Sequence, residues 1–283
     1  MTGCKTASPT STADENVREA QAPLPAPTQL PPPRAQTAAE TRALRENSLG
    51  MKFNRVPGTR VHFSVWETRV QDYAAYAAAS ASVDPSWKEP VWEGTIVTPG
   101  PTHPVVNVSW FDAKAFCRWL TEKERKEGKL GADEEYRLPT DAEWSWAAGI
   151  GKREGNGTPD DKNVRLKDIY PWGRQWPPPD SVGNYDDYSE FRIVGFRDGF
   201  PRTAPVGNFA PNAQGLYDMG GNVWEWCEDW YDVAQTKRVL RGGAWINHVQ
   251  DFLMSTYRDR VAPGTRYDCY GFRIVLVTAE TAR

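Results

Sequence analysis

"GLYDMGGNVWEWCEDWY", residues 215–231, is the stretch that decides how this chain folds. It sets Trp224, Trp226 and Trp230 beside Asp218, Glu225, Glu228 and Asp229, with glycine at 215, 220 and 221. Buried tryptophan and unpaired carboxylate are poor neighbours, because ionised oxygen is costly to desolvate without a partner. Strand alternation offers one resolution. Across "NVWEW" it puts Trp224 and Trp226 on one face and Val223 and Glu225 on the other. The tryptophans then enter the core while the Glu225 carboxylate is expected to face away from it.

The chain has 283 residues, enough for one large domain or two small ones. Its net charge of −3 and pI of about 5.8 give no footprint for nucleic acid or for an anionic membrane surface. Thirteen tryptophans are more than a domain of this size needs. Each buries about 150–250 Å², worth about 4–6 kcal/mol at about 25 cal/mol/Å² before entropy is subtracted. With a mean hydropathy of −0.66, that load fits a loop-rich fold around a compact tryptophan core. The cysteines are Cys4, Cys117, Cys227 and Cys269, with no C-x-x-C pair, which argues against a zinc knuckle or thioredoxin-type site. His62, His103 and His248 are too scattered to read as a metal triad, and no apolar run approaches a membrane span.

Composition divides the chain in two. Residues 1–46 contain no Phe, Tyr or Trp and include "APLPAPTQLPPPR", which predicts a disordered, partly polyproline tether. Its start, "MTGC", resembles the end of a bacterial lipoprotein signal, in which the cysteine, here Cys4, carries lipid. That reading needs an apolar run ahead of Met1; the alternative is an incidental cysteine in a loose tail. A lipid anchor is the expected route to a membrane and would place the protein in the cell envelope; otherwise the expectation is cytoplasmic.

Residues 47–283 read as the folded domain. "ETRVQDYAAYAAAS" predicts a helix with Val70, Tyr73, Ala74 and Ala77 on one stripe. A second helix starts at "SWFDAKAFCRWLTEKERKEGK", with Ser109 as N-cap, Asp112 as its box partner and Ala113, Phe116, Cys117 and Leu120 as the apolar stripe. "RLPTDAEWSWAAG" predicts a short third helix capped by Thr140 and Glu143 and stopped at Gly149. After residue 150 the helical period disappears, and "RVLRGGAW" and "GFRIVLV" read as strands. Helices early and short strands late make an α+β domain with little regular structure.

Six motifs occur in order: "HPVVNVSWFDAKAFCRWL", "YRLPTDAEWSWAA", "YPWG", "GLYDMGGNVWEWCEDWY", "RVLRGGAW" and "GFRIV". Together, over about residues 47–277, they resemble the sulfatase-modifying-factor family, to which the formylglycine-generating enzymes belong. The resemblance implies a C-type-lectin-like fold with sparse secondary structure and bound structural calcium. It also implies, for enzymes of the family, a C-terminal cysteine pair that binds copper(I) and with dioxygen converts a substrate cysteine to formylglycine.

The family's first calcium cradle carries over onto Asp218, Gly221, Val223 and Glu225, with carbonyls from Gly221 and Val223. Calcium takes six to eight hard oxygens, which a mixture of carboxylate and carbonyl supplies. A second site matches Asn184, Tyr185, Asp198 and Phe200, with carbonyls from Tyr185 and Phe200. The plainer reading of both clusters is a solvated acidic loop.

The catalytic pair does not carry over. Copper(I) prefers soft thiolates, and a thiolate is also the nucleophile that exchanges with substrate. In the family these cysteines follow the "RGG" strand, but here "RGGAWINHVQDFLMSTYRDR" contains none. The first position aligns with Asn247, the second falls near Gln250 to Phe252, and Ala244 replaces an active-site serine. Copper is therefore not expected. Cys117 reads as a core residue, Cys227 as a less certain one, and Cys269 as a small residue or a lone reactive thiol, with a Cys269 and Cys227 pair the remote alternative. The family branch that makes sulfoxides with three histidines and an added helical domain is excluded, since this chain has neither.

Between "RGGAW" and "GFRIV" the chain carries residues that binding surfaces favour: Asn247, His248, Gln250, Asp251, Tyr257 and, further on, Arg266, Tyr267, Asp268 and Tyr270, with Trp245 beside them. Some relatives, the variable proteins of diversity-generating retroelements, vary this region for recognition. Arg258, Arg260 and Arg273 are expected to be structural, paired with core carboxylates or loop carbonyls. Three functions follow. The favoured one is a non-catalytic recognition module for a peptide, protein or glycan. The others are an oxidase of altered mechanism and a purely structural envelope protein.

Overall fold

The computed structural model describes residues 45–163 and 165–278. Cys4 and nearly all of the proline-rich segment lie outside these residues. In chain order the elements are β1 (Arg45–Glu46), β2 (Lys52–Arg55), β3 (Val61–Ser64), α1 (Val70–Ala79), β4 (Val91–Trp92), β5 (Thr95–Ile96), α2 (Trp110–Lys126) and β6 (Glu135–Arg137). There follow α3 (Asp141–Ala147), α4 (Gly151–Glu154), α5 (Pro159–Lys162), β7 (Trp224–Trp230), β8 (Arg238–Arg241), β9 (Asp259–Val261), β10 (Tyr270–Gly271) and β11 (Val275–Val277). The fold is α+β with low helical content. The first strand takes in Arg45 and Glu46, just ahead of the expected start of the domain.

The helices form where their caps predict. Ser109 and Asp112 close a full capping box on α2, and Thr140 and Glu143 do so on α3. Phe116 of α2 meets Tyr73 and Phe272 with ring centroids 6.0 and 5.5 Å apart, tying α1, α2 and the C-terminal segment into one core. On α1 the buried aromatic face includes Tyr76 as well as Tyr73.

The strands correct the expectation of helices early and strands late. Sheet order β1-β2-β3-β11-β6 joins both ends of the domain, with Val275 opposite Phe63 on one side and Arg137 on the other. A second sheet, β10-β7-β8-β9, carries the tryptophan-rich strand. Trp224 and Trp226 are buried, and Trp226 Nε1 donates to Val108 O at 2.9 Å.

Glu225 corrects the opening expectation. The alternation holds, but β7 is buried on both faces and Glu225 is only 1 % exposed. Arg273 Nε donates to its two carboxylate oxygens at 2.8 and 2.7 Å, and Trp144 Nε1 donates to it at 2.8 Å. Partnering, not exposure, reconciles carboxylate and tryptophan here. A second buried network joins α3, α4 and β8: Arg258 bonds both Asp141 and Glu154, and Arg241 pairs with Asp141 from the other side. Arg258 and Arg273 are thus structural, as expected. Arg260 is not: it is exposed and packs its guanidinium on the Tyr231 ring.

Candidate functional site

Two glycines of left-handed φ, Gly242 and Gly243, turn the chain at the end of β8. The turn brings Asn247 and the 3₁₀ segment Gln250–Leu253 back over the second sheet. A cleft of about 280 Å³ results, with Trp224, Phe252 and Tyr257 forming its aromatic wall. The rings are contiguous, with centroids 5.9 Å apart for Trp224 and Tyr257 and 5.0 Å for Phe252 and Tyr257. Asn247, Lys237, Asp259 and Arg260 supply the polar lining.

The polar lining is rich in uncommitted donors. Asn247 is 3 % exposed; its Oδ1 accepts from Ala244 N at 2.8 Å, while Nδ2 has no hydrogen-bond partner among the described residues. Lys237 and Arg260 form no ion pair among the described residues, although Arg260 Nη1 donates to Tyr231 Oη at 2.6 Å. Asp259 is already an acceptor, from Arg260 N at 2.8 Å and more distantly from Tyr270 Oη. Burial and then the nearby Asp259 charge push the Tyr257 hydroxyl up to about 12, so it stays a neutral donor at physiological pH.

The face expected from sequence divides into three neighbourhoods. Asn247 and Tyr257 line the cleft, and Tyr270 touches it through Asp259. His248 turns to Asp186 at 3.2 Å and stacks on Phe191, while Gln250 donates to Tyr170 Oη at 2.6 Å; Asp251 is exposed. Trp245 lies under the Arg202 guanidinium and donates to Asp268 O at 3.2 Å. Burial pushes the Asp268 carboxyl up to about 6. Arg266 is spent elsewhere, paired with Asp112 at the start of α2, and Tyr267 packs on Tyr270. One continuous ligand face of these ten residues is therefore not what forms.

The calcium-type loops do come together. Gly221 has φ +82, and a Cβ there would lie 2.3 Å from Asn184 O, so only glycine lets the two loops meet. In the first cradle Asp218 Oδ2 accepts from Gly207 N at 2.7 Å, while the buried Oδ1 has no partner. Burial pushes the Asp218 carboxyl up to about 6, and burial together with the Asp218 and Glu225 charges raises that of Glu67 well above the usual carboxylate range. Three buried carboxylates face one guanidinium, Arg273, leaving excess negative charge for a divalent cation or protons to neutralise. Glu225 is committed to Arg273, so its share in holding a cation is smaller than expected.

In the second cradle Asn184 Nδ2 faces Phe200 O at 3.1 Å, Arg202 O at 3.0 Å and Asp198 Oδ1 at 3.4 Å, while the buried Asn184 Oδ1 has no partner. As it stands the amide nitrogen donates to these oxygens; turned over, the amide would aim four oxygens at one point, a set that suits a hard cation. Tyr185 contributes its N–H to Asp198 Oδ2 at 2.8 Å. Among the described residues no three His, Cys, Asp or Glu side chains converge to hold a metal, so a cation in either cradle depends on carbonyl and amide oxygens.

Cys117 and Cys227 are buried free thiols. Burial pushes Cys117 up to about 12 and raises Cys227 well above the thiol range, so both are inert near neutrality. Cys269 is buried and engaged. Sequence reasoning missed Trp224, Lys237, Asp259 and Arg260 as cleft residues. The signal for Trp224 was its alternation opposite Glu225; no local pattern marks the other three, which the β8–β9 pairing brings together.

A mixed fold of short strands and capped helices around a tryptophan strand defines the class, and the family follows. The chain belongs to the sulfatase-modifying factor enzyme 1-like domain family, whose model matches residues 49–278. It is 35 % identical over 181 residues to the formylglycine-generating enzyme of Thermomonospora curvata, covering 57 % of this chain and 51 % of that one. It is also 34 % identical over 198 residues to the inactive Cα-formylglycine-generating enzyme 2 of Bos taurus, covering 66 % and 54 %. The chain thus spans about half the length of these curated relatives. The solved structure of PvdO from Pseudomonas aeruginosa superposes with a TM-score of 0.54 at 24 % identity, over 77 % of this chain and 80 % of that one, a likeness of fold.

Proposed function

We propose that this protein is a non-catalytic recognition module that holds a peptide or protein segment in the Asn247 cleft. The observation that carries the reading is the residue set of that cleft. Asn247 and Phe252 line it, and they stand at or near the positions where the family's catalytic thiols are expected. An amide and a phenyl ring offer neither a ligand for copper(I) nor a group for thiol exchange. Cys117 and Cys227 are buried elsewhere and cannot replace the pair. Aromatic wall and donor-rich lining are instead the makings of a binding site. The test is direct. Full-length protein with copper(I), dioxygen and cysteine-containing peptides should leave the peptides unchanged, and appearance of the aldehyde overturns the reading.

We also propose that calcium braces the loops at Asp218 and at Asn184–Asp198, supported by the orphaned oxygens Asp218 Oδ1 and Asn184 Oδ1. Bound there, calcium would neutralise the buried carboxylates and hold the loops against the tryptophan strand. The expected result is saturable calcium binding in equilibrium dialysis, reduced on Asp198→Ala.

A further inference from the structure

We propose that the cleft selects a carboxylate placed next to an aromatic or apolar side chain, so that its ligand is an acidic peptide segment. The inference rests on the recognition reading and adds the ligand's chemical class. Three observations converge on it. First, the Asn247 side chain is held in place at 3 % exposure while its amide nitrogen, with no protein acceptor among the described residues, opens to the cleft, where a ligand acceptor can replace water. Its orientation is not arbitrary, because Oδ1 is held by Ala244 N and so fixes Nδ2 as the group left over.

Second, the charges at the cleft are mostly positive. Lys237 and Arg260 are exposed and form no ion pair among the described residues. Asp259 opposes them, but it already accepts from Arg260 N and Tyr270 Oη. Asp251 and Asp259 lie close enough to act on Tyr257, and Asp232 feels the Lys237 charge and bonds its backbone, but neither cation forms an ion pair with any of the three. Lys237, Arg260, the Asn247 amide and the Tyr257 hydroxyl thus outnumber the one lining carboxylate, Asp259, and this excess of donors favours an incoming carboxylate.

Third, the donors stand beside a dry wall. Phe252, Tyr257 and Trp224 touch in series, giving an apolar side chain a place to stack. A cleft of about 280 Å³ holds a short stretch of peptide, not a folded domain. An aromatic side chain on the wall and a carboxylate on Asn247, Lys237 and Arg260 fill both halves at once.

The carboxylate has two sources, an Asp or Glu side chain or a peptide C-terminus. The experiment uses dye-labelled alanine-glycine peptides carrying one Phe beside Asp, Asn or Lys, with amidated or free C-termini, read by anisotropy against full-length protein. The expected result is that Asp peptides or free-acid peptides bind at least about tenfold more tightly than the amidated Lys peptide, the worth of one charge-assisted contact. Whichever arm carries the gain names the source. Lys237→Glu with Arg260→Glu should abolish the preference, and Asn247→Asp, which keeps the acceptor for Ala244 N but removes the donor, should weaken acidic peptides about tenfold. Unchanged melting of each variant confirms that the fold survives. Equal binding of Asp, Asn and Lys peptides overturns the carboxylate inference and leaves recognition standing. No binding by any peptide overturns both.

Discussion

Arg258 and Arg260 stand two residues apart and live in opposite worlds. Arg258 is fully buried, and its guanidinium bonds Asp141 and Glu154 together with the Thr256 carbonyl. Arg260 lies in the open on Tyr231 with no carboxylate of its own. The first region pairs its charges with one another, and a buried network of that kind fixes the packing of α3, α4 and β8. Among the described residues, the second leaves Lys237 and Arg260 without an ion pair and the Asn247 amide nitrogen without a protein acceptor. Charges that a fold needs are paired within it; charges a ligand needs are left over.

The comparison breaks most readily at Arg258. Arg258→Met should destabilise the protein by about 3–5 kcal/mol, because it strands Asp141 and Glu154 without their shared partner. Urea denaturation followed by tryptophan fluorescence reads this, and a loss below about 1 kcal/mol would dissolve the distinction between the two regions.

Acid probes the same network without mutation. Asp141 is buried, and although desolvation opposes its charge, the Arg241 and Arg258 guanidiniums hold its carboxyl at about 2, against an ordinary 3.8. A depressed folded pKa stabilises above the unfolded value, so this contribution is complete at neutral pH and fades as pH falls from about 4 through 2. It amounts to about 2 kcal/mol at neutral pH. Asp141→Asn should flatten the stability curve across that window.

Calcium removal sharpens the middle of the range. Chelation should lower stability by about 2–3 kcal/mol if the free ion stood at a hundredfold its dissociation constant. Differential scanning fluorimetry with and without chelator reads the shift, and Asp198→Ala should reduce it.

The smallest effect belongs to the cleft. Lys237→Ala and Arg260→Ala remove exposed side chains with no ion pair, so stability should move by less than about 0.5 kcal/mol. Any larger loss would mean that these cations are structural after all.

What could be read from sequence was what the chain decides locally. Capping boxes at Ser109 with Asp112 and Thr140 with Glu143 involve four consecutive residues, so their helices were legible. The pairing of Val61–Ser64 with Val275–Val277 was not, because each strand is short and its partner lies some two hundred residues away in the chain. Glu225 shows the same limit at one residue. Alternation placed it on the correct face, but only Arg273 and Trp144, brought from distant segments, make that face an interior. At the candidate site, Asn247 was visible because a cysteine was expected there. Lys237 and Asp259 were invisible, and Arg260 was misassigned as structural, since an arginine in a strand reads alike whether it points at a carboxylate or at solvent.

The position of β11 has a consequence for biosynthesis. It sits between β3 and β6, two strands from the first half of the domain, and hydrogen-bonds to both. A nascent polypeptide emerging from the ribosome can form its capped helices early, but the five-stranded sheet has a gap at its centre until Val275–Val277 clear the exit tunnel. Until then Phe63 and Tyr136 lack the strand that joins them, and β3 and β6 each present an unpaired edge.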